Sequence, residues 1–262
     1  MKIKQFFSIN FFAIAALIFL TFSCVSKKEI IYMGDIDAYS PIELSNTEHT
    51  LQVDDILDIS VGALIPEAAL PYNRIGSGIN QRVNDIESRK LEGYLVSQDK
   101  TINFPVLGIL SVADKTTKTL EKELKERLEL GGYLIDPTVK VRLLNAKVTL
   151  LGEVKAPGTY SFTENNISFL QALGLAGDLT INGNRKDIIL IRNVDGIQSA
   201  NHLNLTSANW LNSPLERIKP NDVIVVNPNG SKIKSAGFFG NASSFVAIAS
   251  LLISTVVLIN SF

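Results

Sequence analysis

Blocks of hydrophobic alternation, two helical repeats and two apolar ends divide this chain into segments before any composition is considered. From Leu51 the pattern is that of a half-buried strand: Leu57, Ile59 and Val61 fall on one side, Asp58 and Ser60 on the other, behind a turn-forming Asp54-Asp55 pair. A polar excursion through Pro71 to Arg89 follows. Gly93 to Phe104 then reads as a hairpin, with its turn near Gln98-Asp99-Lys100 and its return ending at Pro105. Leu120, Leu124 and Leu128 recur every four residues, which predicts a helix with Thr117 as N-cap and Gly131-Gly132 as its stop. The charged residues between Lys118 and Glu129 form its solvated face. Asp136-Pro137 opens a further strand, in which Val139 and Val141 alternate with Lys140 and Arg142.

A second unit begins near Ala146. Val148 to Val154 reads as a strand, returned by a Pro157-Gly158 turn through Thr159 to Phe162. Asn165 or Asn166 caps a helix on which Phe169, Leu170 and Leu173 share a face, ending near Gly177. Ile188 to Ile191 is a β-branched strand, and Ile218 to Val226 closes the unit. That closing segment echoes the first strand, since Val53-Asp54-Asp55-Ile56-Leu57 and Pro220-Asn221-Asp222-Val223-Ile224 both place an aspartate between a polar turn and an alternating apolar run. At such junctions the aspartate accepts hydrogen bonds from nearby backbone amides.

The ends call for a different reading. Lys2 and Lys4 precede an apolar run from Phe6 to Phe22, and Ser23-Cys24 follows, with the only cysteine of the chain. A cationic start, an apolar stretch and a small residue before the cut describe a secretory signal peptide over residues 1–23. A cysteine directly after that cut can take a thioether-linked diacylglycerol, and the pattern resembles a bacterial lipoprotein signal with Cys24 as the lipid attachment site. Residues 24–49 then form a lipidated tether without sustained period. At the other end no charge occurs after Lys234. Ser243 to Ile259 would reach about 26 Å as a helix, close to the roughly 30 Å of a bilayer's hydrocarbon core. Ser243, Ala247, Ser250 and Ser254 follow steps of four, three and four along it, one narrow stripe of small side chains that suits close helix contact or a water-lined pore.

Composition narrows the function. The formal charge is −1, and removal of residues 1–23 takes away Lys2 and Lys4 but no acid, leaving −3. No basic face for nucleic acid is expected from that balance. One cysteine excludes an intramolecular disulfide, and His49 and His202, read as surface or loop residues, are too few for a metal cluster or a catalytic triad. Neither a phosphate loop nor paired carboxylates stand out. No catalytic, cofactor-binding or metal-binding residues are therefore expected.

The order of segments resembles the polysaccharide export family of Gram-negative outer-membrane lipoproteins. LQVDDILDISV, YLVSQDKTINFPVLGIL, the helix after Thr117 and DPTVKVRL match its export domain, while VTLLGEVKAPGTY, FLQALGLAGDL, IILIRN and IKPNDVIVVNP match a soluble-ligand-binding β-grasp (SLBB) domain. Where the family has glycine before the junction aspartates this chain has Asp54 and Asn221, the residue types that best tolerate a left-handed backbone. Similarly, Ala176-Gly177-Asp178 stands in place of an Ala-Gly-Gly helix end. The resemblance implies an α+β fold: a small mixed-sheet export domain over residues 50–145, one SLBB domain over 146–228, and a linker with a C-terminal transmembrane helix over 229–262. It also implies an outer-membrane lipid anchor, a periplasmic body, a homo-oligomeric ring passing capsular or exopolysaccharide, and an inner-membrane polysaccharide co-polymerase as partner. A periplasmic glycan-binding lipoprotein, with the last helix as a simple anchor, is the alternative.

Overall fold

The computed structural model describes residues 29–40, 49–73, 86–164, 166–236 and, near the C-terminus, 246–248, 250, 251, 254, 255, 257 and 258. Alternation builds the first domain. Its elements are β1 (Ile56–Gly62), the single turn α1 (Pro66–Ala69), α2 (Ile86–Glu92), β2 (Tyr94–Leu95), β3 (Thr101–Phe104), β4 (Gly108–Ser111), α3 (Thr117–Leu130) and β5 (Thr138–Leu143). β1 lies between β2 and β5, antiparallel to both, and turns Leu57, Ile59 and Val61 into the core. This sheet is therefore antiparallel rather than the mixed one expected. Leu120, Leu124 and Leu128 of α3 are fully buried in the same cluster, as a four-residue spacing on one helix face requires.

Two local expectations change here. The helix cap is Thr116, one residue earlier than Thr117, because its extended backbone lets the hydroxyl accept from the Thr119 amide at 3.2 Å. The turn at Gln98 to Lys100 is real, with the Lys100 amide donating to the Ser97 carbonyl at 2.9 Å, but it does not close a hairpin between β2 and β3. Tyr94 pairs with Leu57 in β1, which buries its ring, and β3 pairs with β4 instead. That second turn holds Val106 at φ 68°, a conformation that no sequence signal at valine announces.

The second domain contains β6 (Lys147–Gly152), β7 (Gly158–Ser161), β8 (Ile167–Ser168), α4 (Phe169–Leu175), β9 (Gly183–Val194), β10 (Ile197–Leu203), β11 (Arg217–Ile218) and β12 (Val223–Pro228), followed by α5 (Gly230–Ala236). A mixed sheet in the order β10-β9-β12-β6-β7 holds α4 against one face, and β12 runs parallel to β6. At the end of that parallel pair Gly152 sits at φ 85°, where an added Cβ would come within 2.1 Å of the Val226 carbonyl oxygen. Only glycine fits so close a backbone approach. The cap of α4 is Ser168, not Asn166, and Asn165 lies outside the described residues. Ser168 Oγ accepts from the Gln171 amide at 3.1 Å while Gln171 Oε1 accepts from the Ser168 amide at 2.7 Å, a reciprocal capping box. That start sets the helix face to Phe169, Ala172, Leu173 and Ala176, all buried, and leaves Leu170 exposed rather than beside Phe169. Together the two domains are α+β.

Order begins before Leu51. Residues 29–40, expected to be part of a tether or peripheral region, lie along the second domain. The Met33 and Gly34 amides donate to the carbonyls of Leu205 and Thr206 at 2.8 and 2.9 Å. The Tyr32 ring packs on the second core with the Arg185 guanidinium 5.3 Å from its centroid, and its hydroxyl donates to Asp178. Burial, then that hydrogen bond, pushes the phenol pKa well above its ordinary value. Asp35 accepts from the Ser207 hydroxyl and the Ala208 amide at 2.8 and 2.6 Å, which lowers its pKa. Its contribution is therefore complete above the unfolded carboxyl pKa and fades as pH falls through the lowered folded value. Replacing Tyr32 with phenylalanine leaves Asp178 without the phenol donor and is expected to cost about 1.5 kcal/mol. Hydrogen exchange at the Met33 and Gly34 amides reads the effect directly: both should exchange faster in the variant, and unchanged protection would separate the segment from its tyrosine.

Candidate functional site

The two aspartate junctions are the same structure built twice. Asp54 and Asn221 hold φ 68° and 67°, so the left-handed turns survive without glycine. The next residue in each case, Asp55 or Asp222, is buried. Its amide donates to a carbonyl three residues back, on Gln52 or Lys219, at 3.2 Å in both. Its carboxylate accepts from the amide of that same residue at 2.8 Å in both. The partners that reach in from elsewhere differ. Asp222 receives Arg192 through Nε and a terminal guanidinium nitrogen at 3.0 and 2.7 Å, and that nitrogen also donates to the Arg217 carbonyl at 2.7 Å. Asp55 instead faces His49 Nε2 at 3.1 Å. His49 is a loop residue rather than a surface one: its side chain is 15% exposed against a buried carboxylate. His202 does lie at the surface, beside Asp187. Both aspartates are held by structural partners, Asp222 through both carboxylate oxygens and Asp55 through Oδ2, and among the described residues no three ligating side chains converge on a metal position.

The domains meet at a polar joint. Lys100 pairs with Asp195, whose amide donates to Gln52 Oε1 at 3.2 Å. A narrow crevice of about 30 Å³ lies between His49, Leu143, Ala146, Phe162 and Pro220, room for about one water.

A wider concavity lies elsewhere, on the outer face of the first sheet. Asp58, Ser60, Lys140, Arg142 and Arg89 line a cleft of about 190 Å³. The register places Asp58 opposite Arg142 and Ser60 opposite Lys140, while α2 brings Arg89 onto the Asp58 carboxylate. The pattern of β1 and β5 had marked these positions only as solvated. Their convergence depends on strand register, which no local signal carries.

Of the residues expected to contact membrane, Cys24 and Ser243 lie outside the described residues. Ala247, Ser250 and Ser254 are helical and exposed. The Ser250 hydroxyl donates to the Ala247 carbonyl and the Ser254 hydroxyl to the Leu251 carbonyl, each at 2.9 Å, and Thr255 donates to the Leu251 carbonyl at 2.7 Å. Hydroxyls turned back onto their own helix need no water. Val246, Leu251, Val257 and Leu258 are exposed along the same segment. Among the described residues no helix is long and apolar enough to cross a membrane.

A five-stranded mixed sheet holding one helix, preceded by a three-stranded sheet packed on the leucine face of α3, defines a tandem of an export-type and a β-grasp-type domain. Residues 43–144 match the model for "Polysaccharide biosynthesis/export protein" and residues 146–226 match the SLBB domain. The chain thus carries a polysaccharide export domain followed directly by an SLBB domain. It is 30% identical over 157 residues to the "EPS I polysaccharide export outer membrane protein EpsA" of Ralstonia nicotianae, an alignment covering 58% of this chain and 40% of the relative. Over 139 residues it is 29% identical to the protein of the same name from Ralstonia solanacearum, covering 52% of this chain and 36% of that one. The chain thus spans well under half the length of the curated relatives it matches.

Proposed function

We propose that the protein is an outer-membrane lipoprotein subunit of an oligomeric conduit that exports capsular or exopolysaccharide without catalysis. The observation that carries this reading is the tandem itself: an export domain and an SLBB domain in direct succession, between a lipoprotein-type start and an uncharged end. Both relatives are named as exopolysaccharide export proteins of the outer membrane, which supports the same location and cargo class here. A conduit asks its residues for a ring, a lumen and an anchor rather than for a nucleophile or a metal. In this reading a polysaccharide co-polymerase of the inner membrane is the partner that feeds the channel. The direct test of assembly is the mass of the full protein in mild detergent. A stable particle of several copies supports the conduit, while a chain that remains single supports a glycan-binding lipoprotein.

Attachment and spanning are separable. One acyl chain binds a membrane only reversibly, whereas several on one cysteine anchor it firmly. Cys24→Ala is therefore expected to abolish fatty-acid labelling of the mature chain, and equal labelling of both forms would overturn the anchor assignment. The C-terminal helix is proposed to cross the outer membrane and to place Ser243, Ala247, Ser250 and Ser254 against neighbouring helices or a pore. Because both described serines satisfy their hydroxyls within the helix, bulk rather than lost hydrogen bonding is the lever. Ser250→Leu combined with Ser254→Leu is expected to block export at normal protein level, with attachment through Cys24 intact. Normal surface polymer in that variant would reduce the helix to an anchor.

A further inference from the structure

The outer face of the first sheet carries charge that the described residues leave uncompensated. On the second face of β1 and β5, Lys140 and Arg142 stand two residues apart and both are exposed. Neither has an ion-pair or side-chain hydrogen-bond partner among the described residues. Other cations of this domain are engaged: Lys90 with Glu87, Lys115 and Arg127 with Glu123, Lys125 with Asp136. Arg89 contributes a third positive group but spends part of its charge on Asp58, the one acid among the described residues of the cleft. Three cations and one carboxylate thus surround about 190 Å³, room for about six waters. The floor is made of short side chains, with Ser60 and Asp58 as hydroxyl and carboxylate.

From this arrangement we infer that the cleft of Arg89, Lys140 and Arg142 is a binding site for acidic sugar units, hexuronate carboxylates above all, of a passing polysaccharide. The mixture of groups chooses the ligand class. A sugar acid offers a carboxylate to the cations and hydroxyl donors to Asp58 and Ser60, so it uses both halves of the lining. An acidic peptide segment offers mainly carboxylates, which only the cations satisfy and which Asp58 opposes. Among the described residues that line the cleft there is no aromatic on which a pyranose face could stack, and its charges are solvated, so binding is weak and falls with salt. Weak, repeated contact is what a conduit needs, because a site that holds its cargo tightly stops transport.

The inference rests on the export reading for the cargo's identity, but its test does not. Full-length protein in mild detergent is titrated with hexagalacturonate, with neutral maltohexaose and with a hexaglutamate peptide at low and physiological salt. The expected order is hexagalacturonate at least tenfold tighter than either control. Lys140→Gln with Arg142→Gln should reduce its affinity about tenfold, and Lys140→Arg should preserve it. Both exposed positions tolerate these changes, and an unaltered melting temperature establishes that for each variant. Equal binding of hexagalacturonate and maltohexaose, or undiminished binding by the glutamine variant, overturns the site. Tighter binding of hexaglutamate also overturns it, in favour of an acidic protein partner. Since these titrations need no secretion, their failure leaves the export reading standing if deletion of the gene still abolishes surface polysaccharide.

Discussion

Asp222→Ala is expected to destabilise the second domain by about 3–5 kcal/mol, because it strands a buried guanidinium. Arg192 and Asp222 are 7% and 1% exposed, and Asp222 takes two nitrogens of Arg192 together with the Lys219 amide. A buried ion pair adds little net stability when intact, since desolvation offsets attraction, but removal of one partner leaves the other charge without compensation. Asp55 provides the internal control. Its junction has the same backbone geometry, but its incoming partner is the single imidazole of His49 at 3.1 Å. Asp55→Ala should therefore cost only about 1–3 kcal/mol, the price of a lost acceptor. Denaturant unfolding followed through Trp210, the only tryptophan and a core residue of the second domain, measures the larger effect. Circular dichroism measures both. Equal costs at Asp55 and Asp222 would show that the arginine is not what distinguishes them.

Phe169→Ala is the second large effect, at about 3–5 kcal/mol, from lost burial and the cavity left behind. Its ring is fully buried at the first position of α4, in the core that also contains Leu150, Val154 and Leu173. It meets Trp210 edge to face with centroids 5.8 Å apart, so the substitution should lower the unfolding midpoint and also shift Trp210 emission in the folded state. Leu170→Ala, one residue on, removes a side chain that is 37% exposed and should stay within about 0.5 kcal/mol. Comparable losses at the two positions would mean that α4 is rotated from the face described here.

Phe169 and Leu170 also show where sequence reading works and where it stops. Spacing places the helix and its leucines correctly in α3, where Leu120, Leu124 and Leu128 lie on one stripe. In the short α4 the stripe depends on where the helix begins, and the Ser168 and Gln171 capping box fixes that start. Serine followed three residues later by glutamine is a readable signal, but Asn165 and Asn166 compete for the same role. Asp54 and Asn221 were readable as left-handed turns because the resembling family has glycine at both positions and aspartate and asparagine tolerate the same backbone. Residues 29–40 were not, because they carry no period and their partners, among them Asp178, Arg185 and Leu205, lie far along the chain. The charged cleft has the same origin. Lys140 and Arg142 look like any solvated alternation until the pairing of β1 with β5 sets them beside Asp58 and Ser60.

The most direct test of the conduit is made in cells. The gene is deleted, and polysaccharide on the cell surface, polymer retained within the envelope and lipid-linked repeat units are each quantified. A passive exporter predicts loss of surface polymer with synthesis of the lipid-linked unit intact, and recovery when the full chain is restored. Surface polymer at the parental level in the deletion strain, or loss of the lipid-linked unit itself, would contradict it.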